Sequence, residues 1–159
     1  MFIIFMGVSG CGKTTIGKMT AAFFGVHFYE GDDYHPPENI KKMAAGLPLT
    51  DEDRAGWLGA LAQLMRQKLD QGQSGGLSCS SLKKKYRDDL RVDRDRIHFI
   101  YLKGSQELIR SRIEERTGHY MPAELLKSQF EALEEPCHAL TIDVAQSPDE
   151  ILTRVVTSL

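Results

Sequence analysis

The sequence predicts an α/β fold: three layers, with a parallel five-stranded sheet and helices on both faces. Two observations carry this. Short apolar runs alternate with longer stretches of helical periodicity along all 159 residues. The first run, Phe2 to Met6, leads straight into Gly7-Val-Ser-Gly-Cys-Gly-Lys13-Thr14, where two glycines separated by four residues precede Lys and Thr. Strands that alternate with helices imply right-handed crossovers, and ligands gather beyond the carboxyl ends of such strands. The length suits one domain, residues 1–159.

The eight residues after the first strand match the phosphate-binding loop pattern. Gly7, Gly10 and Gly12 let the backbone turn tightly and bring its N–H groups against phosphate oxygens. The helix that follows points its positive end at the same anion. Lys13 reaches the β- and γ-phosphates, and the Thr14 hydroxyl can ligate Mg²⁺. Gly7, Gly10, Cys11, Gly12, Lys13, Thr14 and Thr15 are therefore the candidate nucleotide-binding residues, and Thr14 the candidate metal ligand. Together they make this a P-loop nucleoside-triphosphate protein.

Each remaining element has its own signal. Helix Thr14–Phe24 carries Ile16, Met19, Ala22 and Phe23 at helical spacing and stops at Gly25. Val26 to Tyr29 reads as the second strand, followed by the polar turn Glu30 to Pro37. A short helix, Asn39 to Ala45, is expected to turn Ile40, Met43 and Ala44 inward, ending at Gly46 and Pro48. Thr50-Asp-Glu-Asp53 resembles a capping box and opens a long helix to Leu69. Its stripe is Trp57, Leu58, Leu61, Leu64, Met65 and Leu69. Leu77 to Cys79 is the third strand; Gly75 and Gly76 stand where a buried strand prefers Val or Ile. Ser81 is the expected cap of a basic helix, Leu82–Leu90. Ile97 to Leu102 is the fourth strand, and Ser105 caps a helix over Gln106–Arg116. Thr117 to Pro122 breaks the chain before a helix with Leu125, Leu126, Phe130 and Leu133. Leu140 to Asp143 is the fifth strand, and Ser147-Pro-Asp-Glu150 caps the last helix.

Composition narrows the partners. A net charge of −2, with 26% charged residues, argues against a general nucleic-acid or membrane-surface binder. Cys11, Cys79 and Cys137 are widely spaced and form no CxxC pair, so neither a zinc site nor a disulfide framework is suggested, and the cytoplasm is the expected compartment. The first apolar run is too short for a signal peptide or a membrane span.

The acids and cations suggest the chemistry. Neither the third nor the fourth strand ends in the Asp many NTPases use for Mg²⁺, and no Asn-Lys-x-Asp tetrad occurs. The acids after a strand are Asp32 and Asp33. With the second strand near the first, one of them can face the γ-phosphate and take a proton from an attacking hydroxyl. Lys83, Arg87 and Arg91 share a helix face beyond the third strand, where an anionic substrate would gain from a planar guanidinium. Arg110, Arg112 and Arg116, leading into Gly118, suit a lid over about residues 110–136 that closes on phosphates; Arg110 is the one expected at the plain surface.

These motifs together resemble the gluconate kinases. Gly7 to Thr14, Gly31-Asp-Asp-Tyr-His-Pro36, Cys79-Ser-Ser-Leu-Lys-Lys-Lys-Tyr-Arg-Asp88 and Gly118-His-Tyr120 carry the likeness, supported by Asn39 to Met43, Leu49 to Arg54 with Trp57, and Ser128 to Pro136. The likeness spans nearly the whole chain. It implies an adenylate-kinase-like fold with a helical lid, ATP and Mg²⁺, and phosphorylation of the terminal hydroxyl of D-gluconate by a cytosolic dimer. It selects Asp32 as the base and Lys13 and Arg116 as its catalytic companions. His35, Arg54, Lys83 and Arg87 would grip the polyol and its carboxylate, Arg112 would serve the nucleotide, and Arg112, Arg116 and His119 would form the lid. Trp57 is expected in the core, near the pocket. The chain departs from the family at Gly75 to Ser78, where the family has an apolar strand. The competing readings are a kinase for another acidic hydroxy compound such as shikimate, a nucleotide kinase, or a regulatory ATPase.

Overall fold

Alternation within one short strand sets the layers. The computed structural model describes residues 1–115 and 123–159. β1 (Phe2–Met6) is buried at every residue. Its odd and even side chains point to opposite faces, and both faces are covered. On one, Phe2, Ile4 and Met6 meet Trp57, Leu61 and Met65 of α3 (Asp51–Asp70) and Leu90 of α4 (Lys84–Leu90). On the other, Ile3 and Phe5 meet Ile16 of α1 (Lys13–Phe24), Ile109 of α5 (Gln106–Glu115) and Val155 of α7 (Pro148–Ser158).

The remaining elements are β2 (His27–Glu30), a 3₁₀ turn (Gly31–Tyr34), α2 (Pro37–Ala44), β3 (Gly75–Ser78), β4 (Ile97–Lys103), α6 (Ala123–Ala132) and β5 (Leu140–Asp143). The five strands lie in the order β2-β3-β1-β4-β5 and every pairing is parallel. The order reverses direction around β1, so the crevice forms at its carboxyl end, where the glycine-rich loop begins. Among the described residues no helix is long and apolar enough to cross a membrane.

Four expectations change. β2 does not lie beside β1, because β3 runs between them. β3 includes both glycines, and they are what let it fit: a Cβ on Gly75 would stand 2.8 Å from the Phe2 ring, and one on Gly76 3.1 Å from the Phe28 ring. Aromatic bulk from the neighbouring strands thus replaces the missing Val or Ile. On α2, Ile40 and Met43 are exposed and Asn39 is the buried residue, because this face meets His35 and the first turn of α3 at Asp53 rather than the core. Ser81 caps nothing: α4 starts at Lys84, and Ser81 is buried at φ 47°. A non-glycine residue in the left-handed region is strained, and here the strain redirects the chain out of β3. The capping boxes do form, Thr50 with Asp53 and Ser147 with Glu150, and Leu108 N–H donates to Ser105 Oγ.

Candidate active site

The loop between β1 and α1 follows from its glycines. Gly7 sits at φ 140°, and a Cβ there would approach the Leu102 carbonyl oxygen to 2.8 Å, so only glycine lets the chain leave β1 this close to β4. Its N–H donates to the Ser80 carbonyl, which ties the loop to the strand-end of β3. Gly12 caps α1, whose first turn presents Lys13, Thr14 and the exposed Thr15. The Lys13 ammonium donates to the carbonyls of Gly7 and Val8, at 3.1 and 2.9 Å, so it lies over the loop mouth. Cys11 turns its thiol into the core at 1% exposure, leaving only its backbone to a ligand. Gly10 packs against Ile113 of α5.

Thr14 has a partner that the sequence reading missed. Its hydroxyl donates to Glu30 Oε2 at 2.9 Å, and Ser78 Oγ donates to the other Glu30 oxygen. Glu30 is the last residue of β2 and brings a carboxylate to the start of α1. A hydroxyl and a carboxylate side by side are the hard oxygen donors Mg²⁺ takes, so the residues present fit that ion. The sequence reading left Glu30 in the polar turn after the second strand, two residues before Asp32, whereas β2 runs on to include it.

Beyond the loop lies a cavity of about 610 Å³. Lys13, Asp32, His35, Arg54, Lys83 and Trp57 all line it, so five of the predicted residues converge, with Trp57 beside them. α6 supplies the opposite wall through Leu125 and Gln129, and Gln129 accepts from the Ser9 N–H at 2.7 Å. Met43 and Leu47, exposed elsewhere, complete the rim.

His35 is fixed on every side. Its ring stacks on Trp57, with centroids 4.0 Å apart, and Trp57 Nε1 donates to the Gly31 carbonyl. Asn39 Nδ2 donates to the Asp53 carbonyl at 2.7 Å and lies 3.3 Å from His35 Nδ1. An amide nitrogen only donates, so the neutral imidazole accepts at Nδ1 and carries its proton on Nε2. That nitrogen lies 3.8 Å from Asp32 Oδ1. Burial lowers the His35 pKa, opposed by the Asp32 carboxylate and aided by Arg54. The Asp32 side chain itself is 79% exposed, so it can swing toward a bound hydroxyl. Asp33 is exposed and does not line the cavity.

The cations are held differently from one another. Arg54 donates to the Leu49 carbonyl at 2.7 Å and lies over the Tyr86 ring. Lys83 pairs with Asp51 at 3.0 Å, and Lys85 and Tyr86 engage the same carboxylate. Those bonds, that of Lys85 foremost, hold the Asp51 carboxyl well below the usual range, and Asp51 in turn raises Lys83. Arg87 does not line this cavity. It is 6% exposed and donates from Nη1 to the carbonyls of Ser81 and Leu82. Helical spacing puts Arg87 on the Lys83 face of the helix, but the chain before Lys84 is not helical, so the two side chains part. Arg112 donates to the Val144 carbonyl at 2.6 Å, and Arg110 is an exposed partner of Glu114. Arg116 and His119 lie outside the described residues.

A protein of this build is a P-loop kinase acting on a small molecule. The shikimate kinase family model matches residues 9–159. The thermosensitive gluconokinase of Escherichia coli (strain K12) is 51% identical over 133 residues, which is 84% of this chain and 71% of that one. The gluconokinase of Gluconobacter oxydans (strain 621H) is 41% identical over 98% of this chain and 89% of its own. The crystal structure of a gluconokinase from Sinorhizobium meliloti 1021 matches at 42% identity and a TM-score of 0.90, covering 98% of this chain and 89% of that one. The chain belongs to the gluconokinase family, a branch of the shikimate kinase-like P-loop kinases.

Proposed function

We infer that this chain transfers the γ-phosphoryl group of ATP to the terminal hydroxyl of D-gluconate, forming 6-phospho-D-gluconate and ADP. The observation that carries this is one cavity in which Lys13 of the phosphate loop, Asp32 and the cations Arg54 and Lys83 all face the same space. Substrate and nucleotide can then meet in line.

The geometry supports most of the residue roles, and the family likeness those of the lid. The loop N–H groups and Lys13 bind the β- and γ-phosphates; charged phosphate oxygens are stronger acceptors for Lys13 than the two carbonyls it touches. Thr14 and Glu30 would hold Mg²⁺, which when bound supplies charge neutralisation on the transferring phosphoryl group. His35 Nε2–H faces Asp32 Oδ1 across 3.8 Å, and its field favours the Asp32 carboxylate. Asp32 accepts the hydroxyl proton as the new oxygen–phosphorus bond forms and the bond to the bridging oxygen of ADP breaks. Arg54 and Lys83 draw the substrate carboxylate, and His35 Nε2–H, which has no hydrogen bond within the described residues, can donate to a polyol hydroxyl. Arg87 acts on the substrate side by holding the Ser81 and Leu82 carbonyls in place. Arg112, Arg116 and His119 serve as lid residues that cover the phosphates. The homodimer and cytosolic setting implied by the family likeness belong to this proposal, and light scattering of the purified chain checks the first.

The deciding experiment measures ADP release with gluconate, shikimate, glycerate and nucleoside monophosphates in parallel. Gluconate is expected to give the highest kcat/KM, and Lys13→Ala to abolish the rate without changing the circular dichroism spectrum. Faster turnover of shikimate or of a nucleotide overturns the substrate; undiminished hydrolysis by Lys13→Ala overturns the loop.

A further inference from the structure

A second cavity, of about 340 Å³, shares no lining residue with the first. Lys84 and Arg87 of α4 face it, with Arg91 just past the helix, Arg94 from the next loop, Phe99 of β4 and Cys137. Asp88 is the carboxylate on its wall, and it is already paired, 2.5 Å from Lys84 Nζ. Among the described residues Arg87, Arg91 and Arg94 have no carboxylate within ion-pair distance. Three guanidinium groups thus converge with little opposing charge.

Two of the three are built in rather than waving from the surface. Arg91 lies over the Phe99 ring, 5.1 Å from its centroid, which orients the guanidinium plane. Arg87 is 6% exposed, and its recorded partners are the neutral carbonyls of Ser81 and Leu82. Burial lowers the Arg87 pKa, and Glu134 and Asp88 oppose this only through their fields. Glu134 is itself engaged, accepting the Lys84 N–H at 2.5 Å. A buried cation without a counter-charge is costly, and an anion in this cavity would relieve it.

We propose that this cavity is a binding site for a phosphate group, separate from the kinase site. Planar guanidinium forks arranged around a small space match the several oxygens of a dianion better than one carboxylate. The group can come from free phosphate or from a phosphorylated sugar acid. The proposal does not rest on gluconate being the substrate. It does connect the anion to the substrate loop through Arg87, which holds the Ser81 and Leu82 carbonyls that lead into Lys83.

Cys137 offers a direct readout. It is exposed on the cavity wall, whereas Cys11 and Cys79 are buried. Alkylation of Cys137 by iodoacetamide is followed by peptide mass, at constant ionic strength, with inorganic phosphate, 6-phosphogluconate or gluconate added. A ligand at ten times its Kd leaves about a tenth of the sites open, so alkylation should slow about tenfold and saturably. Protection by phosphate, by the phosphorylated acid or by both supports the site and identifies the source. Arg94→Glu, at an exposed position, and Arg91→Ala should each remove the protection while keeping the wild-type circular dichroism spectrum. Lys13→Ala should keep it, which separates this site from the phosphate loop. No saturable protection, equal protection by gluconate, or protection that survives Arg94→Glu overturns the proposal.

Discussion

Asp32 and Asp33 are neighbours in sequence with unequal surroundings. Asp32 borders the cavity and faces His35 Nε2, while Asp33 points to solvent. Asp32→Asn is therefore expected to lower kcat by about a hundredfold or more, the lower range for lost general-base help, with ATP binding kept. Asp33→Asn should stay close to wild type in the same steady-state assay, and the reverse ranking would move the base by one residue. Glu30 adds a third acid with a different task. Glu30→Gln should raise the Mg²⁺ concentration for half-maximal rate by about tenfold or more, read by titrating free Mg²⁺ at fixed ATP; an unchanged requirement removes Glu30 from the metal site. Sequence reasoning reached the pair Asp32 and Asp33 because they follow a strand and a glycine turn, and the family likeness chose Asp32 between them. It passed over Glu30 because an acid in a polar turn looks solvated until β2 is seen to run on to it and Thr14 is seen across from it.

At the scale of elements, β3 turns a weak sequence signal into a close fit. Two glycines lower strand propensity, yet here they make room for Phe2 and Phe28. Gly75→Ala pushes a methyl group against a fully buried ring. Overpacking of this kind costs about 1–3 kcal/mol, and each kcal/mol lowers Tm by about 2–4 °C in a chain this long; an unchanged calorimetric Tm would show that Phe2 can yield. The cap of α3 gives a pH test. Lys42 foremost, then the Thr50 N–H, lower the Asp53 pKa to about 2. A depressed acid favours the folded chain while it is ionised, so this contribution is complete above the ordinary Asp value and fades as pH falls toward about 2. Asp53→Asn should flatten that part of the acid limb in urea midpoints measured from neutral to acid pH. Both capping boxes were legible because their spacing is a local property. The inward face of α2 was not, since Asn39 is buried by a hydrogen-bonding demand from His35 and Asp53 that no hydrophobic pattern records.

For the molecule as a whole, the parallel sheet, its central strand and the position of the ligand crevice could be read from alternation and from one loop. Strand order could not: nothing local to β2 says that β3 will come between it and β1. Nor could spacing tell which way Arg87 turns, because that depends on where the helix starts relative to the strained Ser81. The same assembly leaves the protein with one tryptophan, and its place on the cavity wall against His35 makes Trp57 an optical reporter. A charged imidazole quenches indole emission far more than a neutral one. Fluorescence should therefore dim as pH falls, with a midpoint below the ordinary histidine value of about 6.5, since burial resists protonation of His35. Asp32→Asn, which removes the carboxylate that pulls the other way, should move the midpoint lower still, and a midpoint at or above the ordinary value would mean that the ring is wetter than its packing against Trp57 implies. Gluconate entering the cavity should shift the same emission, so occupancy can be followed without turnover, nucleotide or label.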